Sequence, residues 1–85
     1  MEKEEKILKA LANKKRLEIL KLLTKNSGLG VIEIAKEINL HFKSTSKHLQ
    51  KLSEAGLVKS IREGVWVRYG PSKKVDQLLK NISRF

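Results

Sequence analysis

The amino-acid sequence predicts a mainly α-helical domain that carries a small β-hairpin. Four segments before residue 56 repeat apolar residues at the three- and four-residue spacing of an amphipathic helix. Two β-prone stretches follow, at 58–62 and 65–69, and Glu63 and Gly64 between them have the length of a tight hairpin turn. A last segment, from about residue 73 to residue 85, returns to the helical spacing.

The first two predicted helices differ in how much of their surface is apolar. In the first, over about residues 2–12, the apolar residues are confined to one face. Asn13 is placed to cap the second helix, residues 14–25, whose leucines and isoleucines cover more than half of its circumference. We therefore expect the second helix at the centre of the core. Gly28 and Gly30 supply the turn that ends it.

The third and fourth predicted helices are joined by a short turn. Residues 31–38 form two helical turns, and their apolar side chains share one face. The turn 39–42 follows, and a helix runs from about residue 43 to residue 55, where Gly56 stops it. A helix, a short turn and a second helix at this spacing form the unit that many DNA-binding proteins use.

The fourth predicted helix has a thin apolar stripe and a broad polar face. Thr45, Leu49 and Leu52 lie within a narrow arc that anchors the helix. The residues predicted to bind DNA lie on the rest of the helix: Lys43, Ser44, Ser46, Lys47, Gln50 and Lys51. A helix that lies in the major groove needs one anchored edge and one face of hydrogen-bond donors. The alternative is a solvated surface helix. Phe42, just before the helix, is suited either to contact a thymine methyl group or to fill a gap.

The predicted hairpin offers a second basic surface. Arg62 and Arg68 flank its turn, so we expect them to contact the DNA backbone or the minor groove. Trp66 and Tyr69 have the chemistry of a base-stacking platform, but we expect both to pack the hairpin onto the core.

Composition limits the possible partners and compartments. The chain has 85 residues, which is enough for one domain. Its net charge of +10 favours an anionic partner, most often nucleic acid and sometimes an acidic membrane surface. It has no cysteine, so disulfides and thiolate metal sites are excluded. No apolar run approaches the roughly 18 residues of a membrane span, and the polar amino terminus is unlike a secretory signal. We expect a cytoplasmic protein.

Three stretches together resemble a known family. These are "LANKKRLEILKLL", "VIEIAKEINLHFKSTSKHLQKLSEAGLV" and "SIREGVWVRYG". They are similar, over roughly residues 8–70, to the winged helix-turn-helix of the arsenic-repressor-type (ArsR-type) transcription regulators. The resemblance implies a homodimeric DNA-binding repressor whose first and last helices form the dimer interface. One domain would then span residues 1–85, with dimerisation helices at about 2–12 and 73–85. The apolar residues expected at that interface are Ile7, Leu8, Leu11, Val75, Leu78, Leu79 and Ile82.

The sequence departs from the family in residues that concern metal sensing. Its metal sensors use cysteines in the third helix, or acidic and histidine ligands on the terminal helix, whereas this terminal helix offers Asp76 and no histidine. His41 and His48 alone are too few for zinc, which takes three or four protein ligands. Ser44 and Ser46 lie near His48 without an acid to orient it, which disfavours nucleophilic catalysis. We therefore predict no enzyme activity, no metal and no cofactor.

These observations predict a homodimeric repressor that binds double-stranded DNA at an inverted repeat. The helix at 43–55 would enter the major groove, and the wing at 58–69 would contact the backbone or the minor groove. The alternative is an architectural or protein-interaction module that binds DNA without sequence preference. RNA binding is disfavoured, because the aromatic residues of an exposed stacking sheet are lacking. The sequence identifies no effector.

Overall fold

The computed structural model describes the backbone of residues 1–83 and the side chains of residues 1–78. The predicted order of helices and hairpin is confirmed. The elements are α1 (Glu2–Leu11), α2 (Lys14–Lys25), α3 (Val31–Glu37), α4 (Phe42–Glu54), β1 (Val58–Glu63), β2 (Trp66–Pro71) and α5 (Lys73–Ser83).

The hydrophobic core is built around α2, as predicted. Ile19, Leu20 and Leu23 of this helix are fully buried, and α1, α4, α5 and β2 all pack against α2. The remaining buried apolar residues of the core come from the other elements and their connections: Ala10, Ile34, Ile38, Leu49, Leu52, Leu57, Val58 and Val75. The core therefore fixes the orientation of α4 and of the hairpin base relative to the rest of the described chain.

Val75 belongs to this core, and not to a surface left for a second subunit. Its side chain is only 1% exposed in the single chain. A side chain that is already buried has no area left to bury against a partner, so the assignment of Val75 to the dimer interface is wrong. The predicted interface residues Leu79 and Ile82 lie outside the described side chains.

Local side-chain hydrogen bonds define the starts of α2 and α4. The side chain of Asn13 caps α2 as predicted, since its Oδ1 accepts from the backbone N–H of Arg16 at 3.0 Å. At the start of α4, the hydroxyl of Thr45 donates to the carbonyl of His41 at 2.8 Å. This bond satisfies the one polar group of a side chain that is otherwise fully buried.

The helices α3 and α4 end in the same way, with one residue in the left-handed conformation. Asn39 has φ 54° and Gly56 has φ 72°. After α3, the N–H groups of Asn39 and Leu40 donate to the carbonyls of Lys36 and Ala35, at 3.3 and 2.9 Å. This pattern is a Schellman motif, and it forms the turn that leads into α4.

We expect the replacement of Asn39 by alanine to destabilise the fold. Asparagine tolerates the left-handed conformation, whereas alanine in it costs about 1 kcal/mol. Urea denaturation should show a lower midpoint for Asn39→Ala, while Asn39→Gly, which has no Cβ, should keep the wild-type midpoint or exceed it. Equal midpoints for the alanine and glycine variants would contradict this description of the turn.

The hairpin turn lies one residue later than predicted. Gly64 and Val65 connect the strands, and Glu63 pairs with Trp66 across the ladder. Gly64 has φ 62° at the first central position, which is the position where type II′ turns require glycine. The turn predicted at Glu63 and Gly64 would have placed a side-chain-bearing residue there.

The hairpin is attached to the loop between α2 and α3. The N–H of Gly28 donates to the carbonyl of Tyr69, and the N–H of Tyr69 donates to the carbonyl of Leu29, both at 2.8 Å. Leu29 therefore forms an isolated bridge with Tyr69 on the side of β2 that faces away from β1. These bonds hold the base of the hairpin, while its tip extends from the body.

Candidate nucleic-acid interface

The exposed face of α4 is the one that the sequence predicts. Four residues predicted to bind DNA are exposed: Lys43, Lys47, Gln50 and Lys51. Ser44 and Ser46 flank them and are half-buried. On the opposite side, Thr45, Leu49 and Leu52 are buried where α4 packs against α2, α3 and β1. The helix is therefore anchored along one edge and presents cations and an amide along the other.

The lysines of α4 keep their charge available for a partner. Lys9 pairs with Glu5 at 3.1 Å, and Lys15 pairs with Glu18 at 3.3 Å. Among the described side chains, none of the ion pairs includes a lysine of α4. Exposed amines without a protein partner are suited to replace the counterions of a phosphate backbone.

The start of α4 also favours an anion. The first turn holds no acidic residue, and within the described chain the His41 side chain makes no capping hydrogen bond. Backbone N–H groups at a helix start carry partial positive charge, and Lys43 lies beside them. The start of α4 thus combines amide donors with a side-chain cation.

The two arginines of the hairpin lie on opposite faces of the two-stranded ribbon. Arg62 is paired with Val67 in the ladder, and Arg68 is paired with Ile61. Side chains of directly paired residues share a face and successive residues alternate, which puts the two guanidinium groups on different sides. The structure therefore does not combine them into one patch.

Arg68 is also engaged within the chain. Its Nε lies 3.1 Å from Oε1 of Glu63, and its Nη1 donates to the carbonyl of Gly28 at 3.3 Å. Arg62 is exposed and appears in none of the ion pairs of the described residues. Of the two predicted contacts, Arg62 is the one whose guanidinium is free to meet a phosphate.

The tip of the hairpin is apolar, a feature that the sequence pattern did not predict. Trp66 is 70% exposed and Val65 is 91% exposed. The expectation that Trp66 packs onto the core is wrong, because the strand register places Trp66 beside the turn, where its side chain stays mostly exposed. The same expectation is confirmed for Tyr69, which is half-buried against the core at the attached base of β2.

The surface predicted for dimerisation is only partly free. Leu8 on α1 is 67% exposed. Ile7, Leu11 and Leu78 are half-buried and pack against the core of the single chain. The single chain thus leaves Leu8 and the outer edges of these three side chains for a partner.

His48 lies half-buried on the side of α4 that faces the start of α2. Burial of the ring lowers the pKa of His48 below its ordinary value of 6.5, and the positive charge of Arg16 lowers it further. Both effects favour the neutral imidazole. Within the described chain no group of three or more metal-binding side chains occurs near His48 or elsewhere.

The lowered pKa of His48 predicts a loss of stability on acidification. Well above pH 6.5 the imidazole is neutral in the folded and unfolded states, so it has no effect on stability there. As the pH falls from 6.5 toward the folded-state pKa, the unfolded chain takes up the proton first, and the free energy of unfolding decreases. Urea denaturation at pH 7.5 and 5.5 should show a larger decrease for the wild type than for His48→Gln. Equal decreases in the two proteins would rule out this role of His48.

Within the described residues, the helices are all too short or too polar to cross a bilayer.

Comparisons with known proteins agree with this geometry. An HTH-type transcriptional regulator of Methanocaldococcus jannaschii is 43% identical over 86 aligned positions, which cover 96% of this chain and 97% of that protein. The arsenic resistance transcriptional regulator ArsR1 of Pseudomonas putida is 32% identical over 80 positions, which cover 89% of this chain and 62% of ArsR1. The homodimeric winged helix-turn-helix DNA-binding domain of a possible ArsR-family regulator from Mycobacterium bovis, solved by NMR, superposes with a TM-score of 0.89. It is 32% identical, and the match covers 96% of this chain and 76% of that one.

The structural match confirms the winged helix-turn-helix fold, in which β1 and β2 form the wing. Residues 13–60 match the family described as "Bacterial regulatory protein, arsR family", and this range includes α2, α3 and the whole of α4. The family consists of regulators and not of enzymes. The chain belongs to the arsR family of DNA-binding transcription regulators.

Proposed function

We propose that this regulator acts as a homodimeric repressor that binds an inverted-repeat operator and blocks access to a promoter. The observation that carries the proposal is the arrangement of α4, whose lysines are exposed while Leu49 and Leu52 are buried. The major groove of DNA is about 12 Å wide and admits an α-helix with one side anchored to a protein. Two such helices in a symmetric dimer bind half-sites about 34–36 Å apart.

The dimer is proposed from two observations. The related domain from Mycobacterium bovis is homodimeric. In this chain, Leu8 exposes a large apolar surface on α1, next to the free edges of Ile7 and Leu11. An apolar helix face that remains exposed in the monomer is the kind of surface that a second subunit covers. We place α1 and α5 at this interface.

The wing is proposed as a second contact on each half-site. Arg62 is exposed on β1 near the turn of the hairpin. The hairpin is attached to the body at its opposite end, so the turn extends outward. A basic hairpin beside a recognition helix is suited to contact the backbone or the adjacent minor groove. Arg68 contributes less to this contact than Arg62, because its guanidinium is bonded to Glu63 and Gly28.

A second candidate function is binding without sequence preference, and one observation favours it. The cations on the exposed face of α4 are all lysines, and lysine acts as a point charge toward phosphate. Bidentate base readers such as arginine and asparagine are missing from that face, where Gln50 is the single amide. An architectural module would bind operator and random DNA with similar affinity.

Selection of bound duplexes from a random library separates the two candidates. The repressor predicts an enriched inverted repeat, a specificity ratio over random DNA of about 10³ or more, and two chains per duplex by sedimentation. In a reconstituted transcription assay, the bound protein should reduce initiation from a promoter that overlaps the repeat. No enriched sequence, or no change in initiation, would contradict the repressor; the first outcome would support the architectural module.

Gln50 and Lys47 should differ in what they contribute. A glutamine that pairs with adenine discriminates against other bases by about 1–3 kcal/mol. We therefore expect Gln50→Ala to relax preference at one base pair of each half-site, while Lys47→Ala weakens all duplexes alike and lowers the salt slope by about one per contact. Gel shifts across single-base operator variants check both expectations. If Gln50→Ala lowers the affinity for all operator variants equally, Gln50 does not take part in base recognition.

A further inference from the structure

Two large apolar side chains are exposed at the elbow between α3 and α4. Phe42, the first residue of α4, is 57% exposed, and Ile32 of α3 is 61% exposed. They border an open depression of about 500 Å³. Its other lining residues are Ala35, Lys36, Asn39, Leu40 and His41. The lining is thus largely apolar.

Packing of the described chain does not explain the position of Phe42. Its ring is absent from the core cluster and from the half-buried residues that pack against that cluster. An exposed ring contributes little to folding, because most of its surface stays in water. The depression therefore has the properties of a binding surface.

The surroundings of Phe42 indicate DNA as that partner. Lys43 follows it in the chain, and Lys36 borders the depression, so two cations lie beside the apolar surface. In helix-turn-helix proteins, residues at the start of the recognition helix contact base edges. Thymine is the base with an apolar group in the major groove, its C5 methyl, and phenylalanine is among the side chains that contact this methyl.

We propose that Phe42, with Ile32 beside it, recognises a thymine methyl group in each half-site. This inference rests on the proposed function, because it requires α4 to lie in the major groove. Base recognition by α4 would then involve the apolar side chain of Phe42 in addition to the amide of Gln50. The cations of this helix are lysines. The sequence alone left the role of Phe42 open, and its exposure now favours the methyl contact.

The test uses the selected operator with thymine replaced by deoxyuridine, which lacks only the C5 methyl. Each thymine position is replaced in turn, symmetrically in both half-sites. For the wild type we expect one position at which the replacement weakens binding about threefold to tenfold per half-site, the size expected for one buried methyl. Phe42→Ala should bind the thymine duplex and the deoxyuridine duplex of that position with equal affinity. Phe42→Leu should keep part of the difference in affinity between these two duplexes. Thermal melts of each variant establish that it is folded.

The outcomes distinguish this inference from the proposed function. Two outcomes would overturn the inference and leave the proposed function standing. In the first, the wild type binds sequence-specifically but is insensitive to the loss of any thymine methyl. In the second, Phe42→Ala is as sensitive to that loss as the wild type. A wild-type protein that binds no duplex would overturn both. If Phe42→Ala instead lowers the mass of the assembly in sedimentation, the depression is a protein contact, and the inference fails in favour of that contact.

Discussion

Replacing Lys43, Lys47 and Lys51 together with glutamine is expected to lower the affinity for operator DNA at least about a hundredfold at 0.1 M monovalent salt. These side chains are exposed on α4 and pair with none of the described acidic groups. Each lysine that displaces a counterion contributes about 0.9 to the slope of log K against log salt concentration. The slope should therefore fall by two or more, as measured by fluorescence anisotropy from 50 to 300 mM salt.

A matched triple variant controls for the change in net charge. Lys3, Lys21 and Lys25 are also exposed, and they lie on α1 and α2, outside the helix-turn-helix unit. Their replacement with glutamine removes the same number of charges. It should lower the affinity much less, through the weaker long-range field alone. Equal losses for the two triple variants would show that DNA attraction depends on total charge and not on α4.

Leu52→Ala is expected to destabilise the protein by about 2–5 kcal/mol. The Leu52 side chain is fully buried in the core cluster, and the backbone carbonyl of Leu52 accepts the Leu57 N–H at 2.9 Å where α4 ends. Truncation removes buried surface and leaves a cavity in a close-packed interior. Natural domains are stable by only about 5–15 kcal/mol, so the expected loss is a large part of the total.

Thermal denaturation measures this effect directly. For a domain of this size, each kcal/mol lowers the melting temperature by about 4–8 °C. Ser53→Ala, at the adjacent exposed position on the same helix, is the matched control and should change the melting temperature by only a few degrees. A small effect of Leu52→Ala would mean that α4 is not anchored through this side chain.

Helical periodicity predicted α4 well because burial and exposure alternate at the period of the helix itself. Thr45, Leu49 and Leu52 point inward, and Lys43 and Lys47 point outward, as the spacing requires. The same reasoning predicted that α2 is the central helix. These features depend on local repetition, which a single sequence contains.

Features that depend on tertiary packing were predicted less well. Periodicity placed Val75 on an apolar stripe of α5, but it does not say whether the stripe meets the same chain or another one. The packing of α5 against α2 and β2 determines that Val75 is buried in the monomer. The bonds of Arg68 to Glu63 and Gly28 depend on the hairpin register and on a distant loop, and neither is encoded locally.

The exposed aromatic residues show a further limit of sequence reasoning. Trp66 and Phe42 are large aromatic residues, a type that is mostly buried in folded proteins, so residue type alone favours burial for both. The register of the hairpin puts Trp66 beside the turn, and the start of α4 puts Phe42 at the elbow. Their exposure became visible only with the fold.

We propose above all that the outward face of α4 binds duplex DNA. Mapping of backbone amide chemical shifts in the ¹⁵N-labelled protein during titration with the selected operator tests it most directly. We predict the largest changes at residues 42–51, with smaller changes in the wing and little change on the outer face of α2. Changes concentrated on another surface, with residues 42–51 unaffected at saturating duplex, would contradict the claim.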